Sequence, residues 1–467
     1  MEASGQSDRE TYRVIVLGRN GAEVLLTRSD AGLCFPQVTI PRWQRVTENI
    51  TIAIRKEWGA EVICLFELPG EPPLDAQNNF QYMVTKHWRG FEGSAVALRW
   101  IPVNHLREDS FLESPDYSAV ERSLLRCSAP VPDHATGPFV HLSWFEDLCQ
   151  WVGEAIASRG LHLNGTFRQL NASPCFSLVR FETDGPAVWF KAVGEPNQRE
   201  FPVTLALARL LPSYIPQVLA VRPAWNGWLM SEAEGKNLDE TTTHSFWETA
   251  AAELAKLQIE SIHSQRELVD SGAHDLRIKP LRNLVSPFMD VAAELMKNQY
   301  KAPPAAVDDT ELRLLQERLQ DALSALGDLG IPDTLGHLDL NPGNLIVSDS
   351  RCLFLDWAEA YVGHPFFSFQ YLLEHLRRMG NVDSISEERL LTAYLAPWEQ
   401  VASRNCVEEA MLLAPLVAVF AYAVGAGAWM QPERLSDPKA AGYLRSLVRR
   451  MNREANELSE RRSSCLS

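Results

Sequence analysis

Gly336-His337-Leu338-Asp339-Leu340-Asn341-Pro342-Gly343-Asn344-Leu345-Ile346-Val347 is followed by a short β-prone run, Cys352 to Leu355, and then by Asp356-Trp357. In this stretch an aspartate precedes an asparagine by five residues on a Pro-Gly turn, and a strand then leads to a second aspartate. Transfer of a phosphoryl group asks little covalent chemistry of a protein; it needs an oriented hydroxyl nucleophile and metal ions that neutralise a triphosphate. Magnesium prefers hard oxygen ligands, takes one or two from protein side chains and fills its shell with phosphates and water. Asn344 and Asp356 can supply such oxygens, which leaves Asp339 to accept or orient the hydroxyl proton. An Asn-Pro-Gly turn between two buried strands is the plainer account, but H-x-D-x-x-x-x-N with a following apolar-Asp-Trp is a much rarer combination than such a turn.

His337-x-Asp339-x4-Asn344 with Asp356-Trp357 resembles the aminoglycoside phosphotransferase family, within the protein-kinase-like fold. The resemblance covers roughly residues 140–460. It implies a small-molecule kinase using ATP and magnesium, with Asp339 as catalytic base, Asn344 and Asp356 as magnesium ligands and His337 as a brace of the loop. It also implies an upstream Lys–Glu pair that holds the α- and β-phosphates. Lys191, at the end of the apolar strand Val188-Trp189-Phe190-Lys191-Ala192, is the candidate lysine, and Glu200, in the first turn of the next helix, its partner. The segment from Asn226 to Gly235 resembles the strand and hinge between lobes, where backbone groups at Ser231 to Ala233 would face the adenine. Two departures stand out. The segment expected to cover the phosphates, Leu170 to Cys175, has no glycine. The family's G-D-P-x-x-D stretch reads Gly363-His364-Pro365-Phe366-Phe367-Ser368, so both acidic positions are replaced, and the brace that the second one gives the catalytic loop must come from elsewhere.

Working outward, strand-like segments at 176–181, 187–192 and 217–221 and a helix at 199–211 predict a small β-rich lobe. Helices at 246–260, 309–327, 387–405, 407–429 and 438–459, interrupted mainly by 335–360, predict a large helical lobe. A helix is expected from Ser143 to about Ser158, opened by a capping box of Ser143 and Glu146. Upstream, β-prone runs at 12–16, 23–26, 62–65 and 80–85 and a helix over 48–58 with Ile50, Ile54 and Trp58 on one face predict a separate α/β domain. The expected organisation is therefore α+β: an α/β domain over 1–127, a Pro-rich linker at 128–138, a small lobe over 139–235 and a large lobe over 236–467.

The N-terminal domain weakly resembles a Nudix domain. Of the glutamate-rich helix R-E-x-x-E-E-x-G that such enzymes use for metal, only Glu57 and Gly59 remain, and one carboxylate beside Arg55 and Lys56 is a poor divalent-cation site. A non-catalytic partner module is the expectation. The rival readings are a catalytically silent kinase fold acting as a binding module and a Nudix-type pyrophosphatase.

Across the 467 residues the net charge of −16 repels phosphate backbones and argues against a nucleic-acid partner. The eight cysteines form no CxxC pair and no zinc-ligand spacing, which fits a reducing compartment. With a polar N-terminus lacking a signal-peptide apolar stretch, a cytoplasmic protein is expected. The uncharged run Ala410 to Met430 is long enough to span a bilayer, but it is rich in Ala and Gly and holds Pro415, so a buried helix is expected there. The resemblance implies a small hydroxylated acceptor; an aminoglycoside would want acidic residues facing it, for which Glu359 and Glu374 are the candidates, with surface acidity an equal account of both.

Overall fold

A computed structural model describes residues 9–29, 32–69, 81–90, 98–106, 114–130, 137–241, 243–300, 302–378, 384–425 and 427–465. Nearly all of the predicted loop at 69–77 and most of the predicted linker at 128–138 lie outside the described residues. The chain divides into two compact units, Met1–Phe201 with Val218–Glu232, and Pro202–Gln217 with Ala233–Ser467.

The first unit holds two sheets. Strands β1 (Arg9–Leu17), β2 (Glu23–Ser29), β3 (Gly32–Cys34), β4 (Gln37–Pro41), β5 (Ala60–Pro69), β6 (Gln81–Gly90) and β7 (Leu98–Pro102) form a mixed sheet. In it β1 runs parallel to β6 and antiparallel to β2 and β4. Helix α1 (Val46–Trp58) buries Ile50, Ile54 and Trp58, the face its spacing predicts, and closes on Gly59 at φ 66°. Helices α2 (Ser114–Ser128) and α3 (Trp144–Ala157) come next along the chain. The second sheet has the order β11-β12-β10-β9-β8 and is antiparallel throughout, built from β8 (Leu163–Ser173), β9 (Phe176–Thr183), β10 (Val188–Val193), β11 (Val218–Arg222) and β12 (Gly227–Ser231). One apolar core runs from Ile15, Leu65 and Val84 of the first sheet through Phe145 of α3 to Val179, Phe190 and Leu229 of the second.

The predicted capping box at the start of α3 is not formed. Ser143 sits at φ −91°, ψ −8°, already near-helical, and its side chain caps nothing. An N-cap hydroxyl reaches back to the first turn only from an extended backbone. The Glu146 carboxylate is instead drawn to the buried ammonium of Lys86 on β6.

The second unit is helical around two small sheets. Helix α4 (Glu200–Leu210) enters it from the first unit. Its longer helices are α5 (His244–Glu260), α6 (Val285–Lys297), α7 (Asp309–Asp328), α8 (Phe366–Arg378), α9 (Ser384–Leu395), α10 (Arg404–Gly425) and α11 (Pro438–Cys465). The single helix predicted over 387–405 is broken: α9 stops at Leu395, a 3-10 turn covers Ala396–Gln400, and α10 begins at Arg404. Pro397 accounts for this, because it has no N–H to give an α-helix and disfavours helical backbone in the residue before it. The apolar helix α10 is long enough to cross a membrane, yet 67% of its apolar window is buried inside the protein. Its Phe420 meets Phe288 of α6 edge-on at 5.5 Å.

Strand β13 (Lys236–Asn237) pairs with β16 (Leu345–Val347), which pairs with β17 (Cys352–Phe354). Strand β14 (His274–Leu276) runs parallel to β18 (Ala360–Gly363), which pairs antiparallel with β15 (Thr334–His337). Gly336 lies opposite Tyr361 in that pair, and a Cβ at residue 336 would sit 2.1 Å from Tyr361 Cζ. Gly336→Ala must therefore displace a fully buried ring, and it is expected to cost about 2 kcal/mol or more of stability, read as a lower midpoint in urea.

Candidate active site

Strand β15 is buried at all four positions and delivers His337 and Asp339 to its C-terminal end. The Asp339 N–H donates to His337 Nδ1 at 3.1 Å, so Nε2 carries the imidazole proton and donates to the Leu355 carbonyl at 3.0 Å. One ring thus joins the loop bearing Asp339 to the residue before Asp356. Burial lowers the His337 pKa, while the bond to the Leu355 carbonyl and the charges of Asp339 and Asp356 oppose that shift. Trp357 flanks it at 5.0 Å between ring centroids.

The Asn-Pro-Gly turn fixes the backbone between Asp339 and Asn344. Asn341 Oδ1 accepts from Gly343 N at 3.0 Å and caps the 3-10 turn Pro342–Asn344. Its Nδ2 donates to Asp339 Oδ1 at 3.1 Å. The Asn344 amide nitrogen donates to the Asp339 carbonyl at 3.0 Å and lies 3.4 Å from Oδ2. The Asn344 carbonyl accepts from Leu355 N at 2.9 Å, closing the loop onto β17. Asp356 is exposed and adopts left-handed backbone at φ 63°, ψ 62°, a conformation uncommon for a residue other than glycine. Strain of this kind concentrates at functional positions. Asp339, Asn344 and Asp356 are therefore tied to one another through His337 and the Asn344–Leu355 bond. Asn341, which orients the Asp339 carboxylate, is not among the residues the motif singles out; its place at the head of a Pro-Gly turn is the signal that could have found it.

These donors suit magnesium. With its nitrogen turned to Asp339, the Asn344 amide keeps an oxygen for a cation, and Asp356 adds one carboxylate. Among the described residues no three His, Cys, Asp or Glu form a metal-holding group. In the N-terminal sheet domain Glu57 is exposed and Arg55 is paired with Glu61.

At the two replaced acidic positions other hydrogen-bonding groups stand. His364 Nδ1 accepts from Phe366 N at 3.3 Å, a helix-capping bond at the start of α8 made by an imidazole. Ser368 Oγ accepts from His337 N at 2.8 Å and lies 3.0 Å from the Tyr361 hydroxyl. The brace expected from elsewhere comes from residue 368 itself, with Tyr361 behind it.

In the first unit Lys191 Nζ donates to Glu200 Oε1 at 2.5 Å, and both side chains are buried. The ammonium also lies over Phe176 and Trp228, 5.8 and 5.9 Å from their centroids. Ser231 ends β12 opposite Val188, the Glu232 N–H is taken by the Ala187 carbonyl at 3.1 Å, and the first unit ends at Glu232, before Ala233. The glycine-free segment Leu170–Cys175 is the tip of the β8–β9 hairpin, with Ser173 paired to Phe176 across a two-residue turn.

Residues 192–403 match the family model of the phosphotransferase enzyme family, APH. The resemblance carried by the catalytic-loop motif is borne out, and so is the α+β kinase-like fold class; the match supports small-molecule phosphotransferase activity. Similar solved structures include the macrolide 2'-phosphotransferase MphH from Brachybacterium faecium, 19% identical, covering 62% of this chain and 98% of that one at a TM-score of 0.40. Choline kinase LicA from Streptococcus pneumoniae is 14% identical, covering 67% of this chain and 99% of that one at 0.43. Choline kinase from Cryptosporidium parvum Iowa II is 13% identical, covering 68% and 97% at 0.46. No curated protein matches the chain.

The brace behind the loop is open to two measurements. Ser368→Ala leaves the His337 N–H buried without its acceptor and is expected to cost about 1–3 kcal/mol, measured by denaturant unfolding. Burial pushes the His364 imidazole down to about 3 from an ordinary value of 6.5, so the unfolded chain binds a proton there that the folded chain refuses. Stability is then lost as pH falls below about 6.5, at up to about 1.4 kcal/mol per pH unit from this group. His364→Asn, which keeps a capping oxygen, is expected to flatten the fall in unfolding midpoint between pH 7 and 4.

Proposed function

We propose that this chain moves the γ-phosphoryl group of ATP to a hydroxyl of a small molecule, with magnesium as the required ion. The observation that carries the proposal is the Asp339 carboxylate held by two side-chain amides, those of Asn341 and Asn344, at the end of a buried strand. A carboxylate fixed in this way can accept the proton of an incoming hydroxyl without searching for its orientation. Lys191, held by Glu200, would pair with the donor phosphates, and backbone groups at Ser231 and Ala233 would meet the adenine. Asn344 and Asp356 would hold magnesium, which when bound neutralises the charge of the triphosphate. The proposed organisation stays an α/β domain over 1–127, a linker at 128–138, a small lobe over 139–235 and a large lobe over 236–467. The first of these is non-catalytic in this reading, since Glu57, the one glutamate left of the metal-binding pattern, is exposed.

The acceptor site we infer is a cavity of about 240 Å³ in the second unit, whose lining includes Leu338, the chain neighbour of Asp339. Tyr371 stacks on Tyr422 at 5.5 Å, and the Tyr443 hydroxyl donates to that of Tyr422 at 2.9 Å. Burial raises the Tyr371 pKa, and the charge of Asp339 adds to the shift. Glu374 was a candidate for gripping an aminoglycoside, but its Oε2 lies 3.0 Å from Arg378 and 3.2 Å from Arg450. Glu454, which also lines the cavity, is 3.7 Å from Arg450. A cavity with paired carboxylates, below the roughly 300–1,000 Å³ of sites for drug-sized ligands, favours a compact hydroxylated acceptor with a flat apolar face over a large polycation.

The test is ATP consumption by the purified chain with magnesium, against kanamycin, choline and uncharged hydroxylated aromatic glycosides. Turnover with an uncharged acceptor, reduced at least about 100-fold in Asp339→Ala with the unfolding midpoint unchanged, is the expected result. Turnover that survives Asp339→Ala would overturn the assignment of the base, and preferred turnover of kanamycin would overturn the acceptor class. ATP–magnesium binding with no turnover across the panel would favour a binding module.

A further inference from the structure

Strand β8 leads directly into the hairpin tip, Leu170–Cys175, that the family resemblance sets over the ATP phosphates, and it is gripped along its length by the N-terminal sheet of the same unit. Gln169 is buried, and its side-chain amide makes both backbone bonds of a missing strand partner: Cys64 N donates to Oε1 at 2.8 Å and Nε2 donates to the Cys64 carbonyl at 2.9 Å. On one side of it Arg168 is ion-paired with Glu48 in the first turn of α1. Further back the Gly165 carbonyl accepts from Arg89 Nη2 at 2.7 Å. Ahead of it, inside the glycine-free tip, Ala172 packs on the cluster that contains Ile50, Ile54 and Trp58 of α1. The β8–β9 ladder is irregular between Gln169 and Asn171, which is where the strand turns a polar side chain outward to Cys64.

We infer that the N-terminal domain is a clamp that positions the β8–β9 hairpin for nucleotide binding, with Gln169 and the Glu48–Arg168 pair as positioning residues. The inference rests on the proposed phosphotransferase reading for the identity of the ligand, Mg·ATP. A glycine-rich loop reaches phosphates through backbone freedom. This hairpin has no glycine at its tip, so its placement is set from outside, by a domain whose helix α1 has one apolar face against its own sheet and a charged first turn against β8. The clamp acts on the donor and not on the acceptor, because every contact named falls on β8.

The experiment uses the full chain carrying Glu48→Arg, Arg168→Glu, the double swap, and Gln169→Ala. Amide exchange of residues 170–178 is read by mass spectrometry, Mg·ATP binding by calorimetry, and acceptor KM by turnover. The two single charge reversals are expected to speed hairpin exchange and to weaken Mg·ATP about threefold or more, with exchange in α8 and acceptor KM unchanged; the double swap restores both. Gln169→Ala is expected to do the same more strongly. Should Gln169→Ala unfold the domain, the exposed charge pair carries the test alone. Hairpin exchange and Mg·ATP affinity that stay at wild-type values in both single reversals would overturn the clamp while leaving the phosphotransferase reading intact. Wild-type chain that binds no Mg·ATP, with hairpin exchange still answering to the charge swaps, would overturn that reading and leave the mechanical clamp standing.

Discussion

A single neutral imidazole organises the site. His337 is buried, accepts the Asp339 N–H on one nitrogen and donates to the Leu355 carbonyl with the other. A protonated ring would set an N–H against the Asp339 N–H, so the geometry requires the neutral form, and burial supplies it by disfavouring the charge. Each bond alone is worth only about 1 kcal/mol. Their value lies in coupling: the segment before Asp356 cannot move without disturbing the loop that carries Asp339. The Asn344–Leu355 bond at 2.9 Å closes the same circuit from the other side.

That circuit needs support from behind, and the support differs in chemistry from what the family resemblance implies. An acidic side chain at residue 368 would reach the catalytic loop with a charge. Ser368 reaches the His337 N–H with a hydroxyl, close enough because Tyr361 holds it from the opposite side. At residue 364 an imidazole nitrogen accepts the Phe366 N–H at the start of α8. Both replacements remove a buried negative charge, and with it a desolvation cost that would need a cation nearby. Charge is kept where a partner exists: Lys191 and Glu200 are both buried and face each other at 2.5 Å.

How far the sequence could be read depended on how local the deciding interaction was. Asp339, Asn344 and Asp356 stand within 18 residues, on one turn and the two short strands that follow it, so their spacing carried the motif. Lys191 and Glu200 were reachable because a strand end and a helix start bracket them. Strands β9, β10 and β11 and helices α5, α7, α10 and α11 were legible from their residue pattern, whereas β8, α6 and α8 were not read, and Ile50, Ile54 and Trp58 identified the buried face of α1. The capping box at Ser143 failed because Lys86, far upstream in sequence, competes for Glu146. The helix over 387–405 failed at Pro397, where a local breaker overrides the apolar spacing on either side of it. The tyrosines of the cavity could not be read at all: Tyr371, Tyr422 and Tyr443 come from three helices, and nothing in any one helix announces the other two.

Helix α1 has the wrong composition for a divalent-cation site, and its residues must be accounted for in another way. Its apolar residues answer for its own sheet, but they do not answer for Glu48 in its first turn or for the buried amide of Gln169 on β8. A buried amide is costly unless both its oxygen and its nitrogen are satisfied, and here both are, by one residue of β5. Such a fit fixes register: sliding β8 by one residue would turn Gln169 to the opposite face of the strand and leave the Cys64 N–H and carbonyl unpaired. The hairpin tip therefore inherits its position from the register of its strand. A loop so held gives up the freedom that glycine would provide, and gains a tip already ordered before any ligand arrives, which lowers the entropy that binding must overcome.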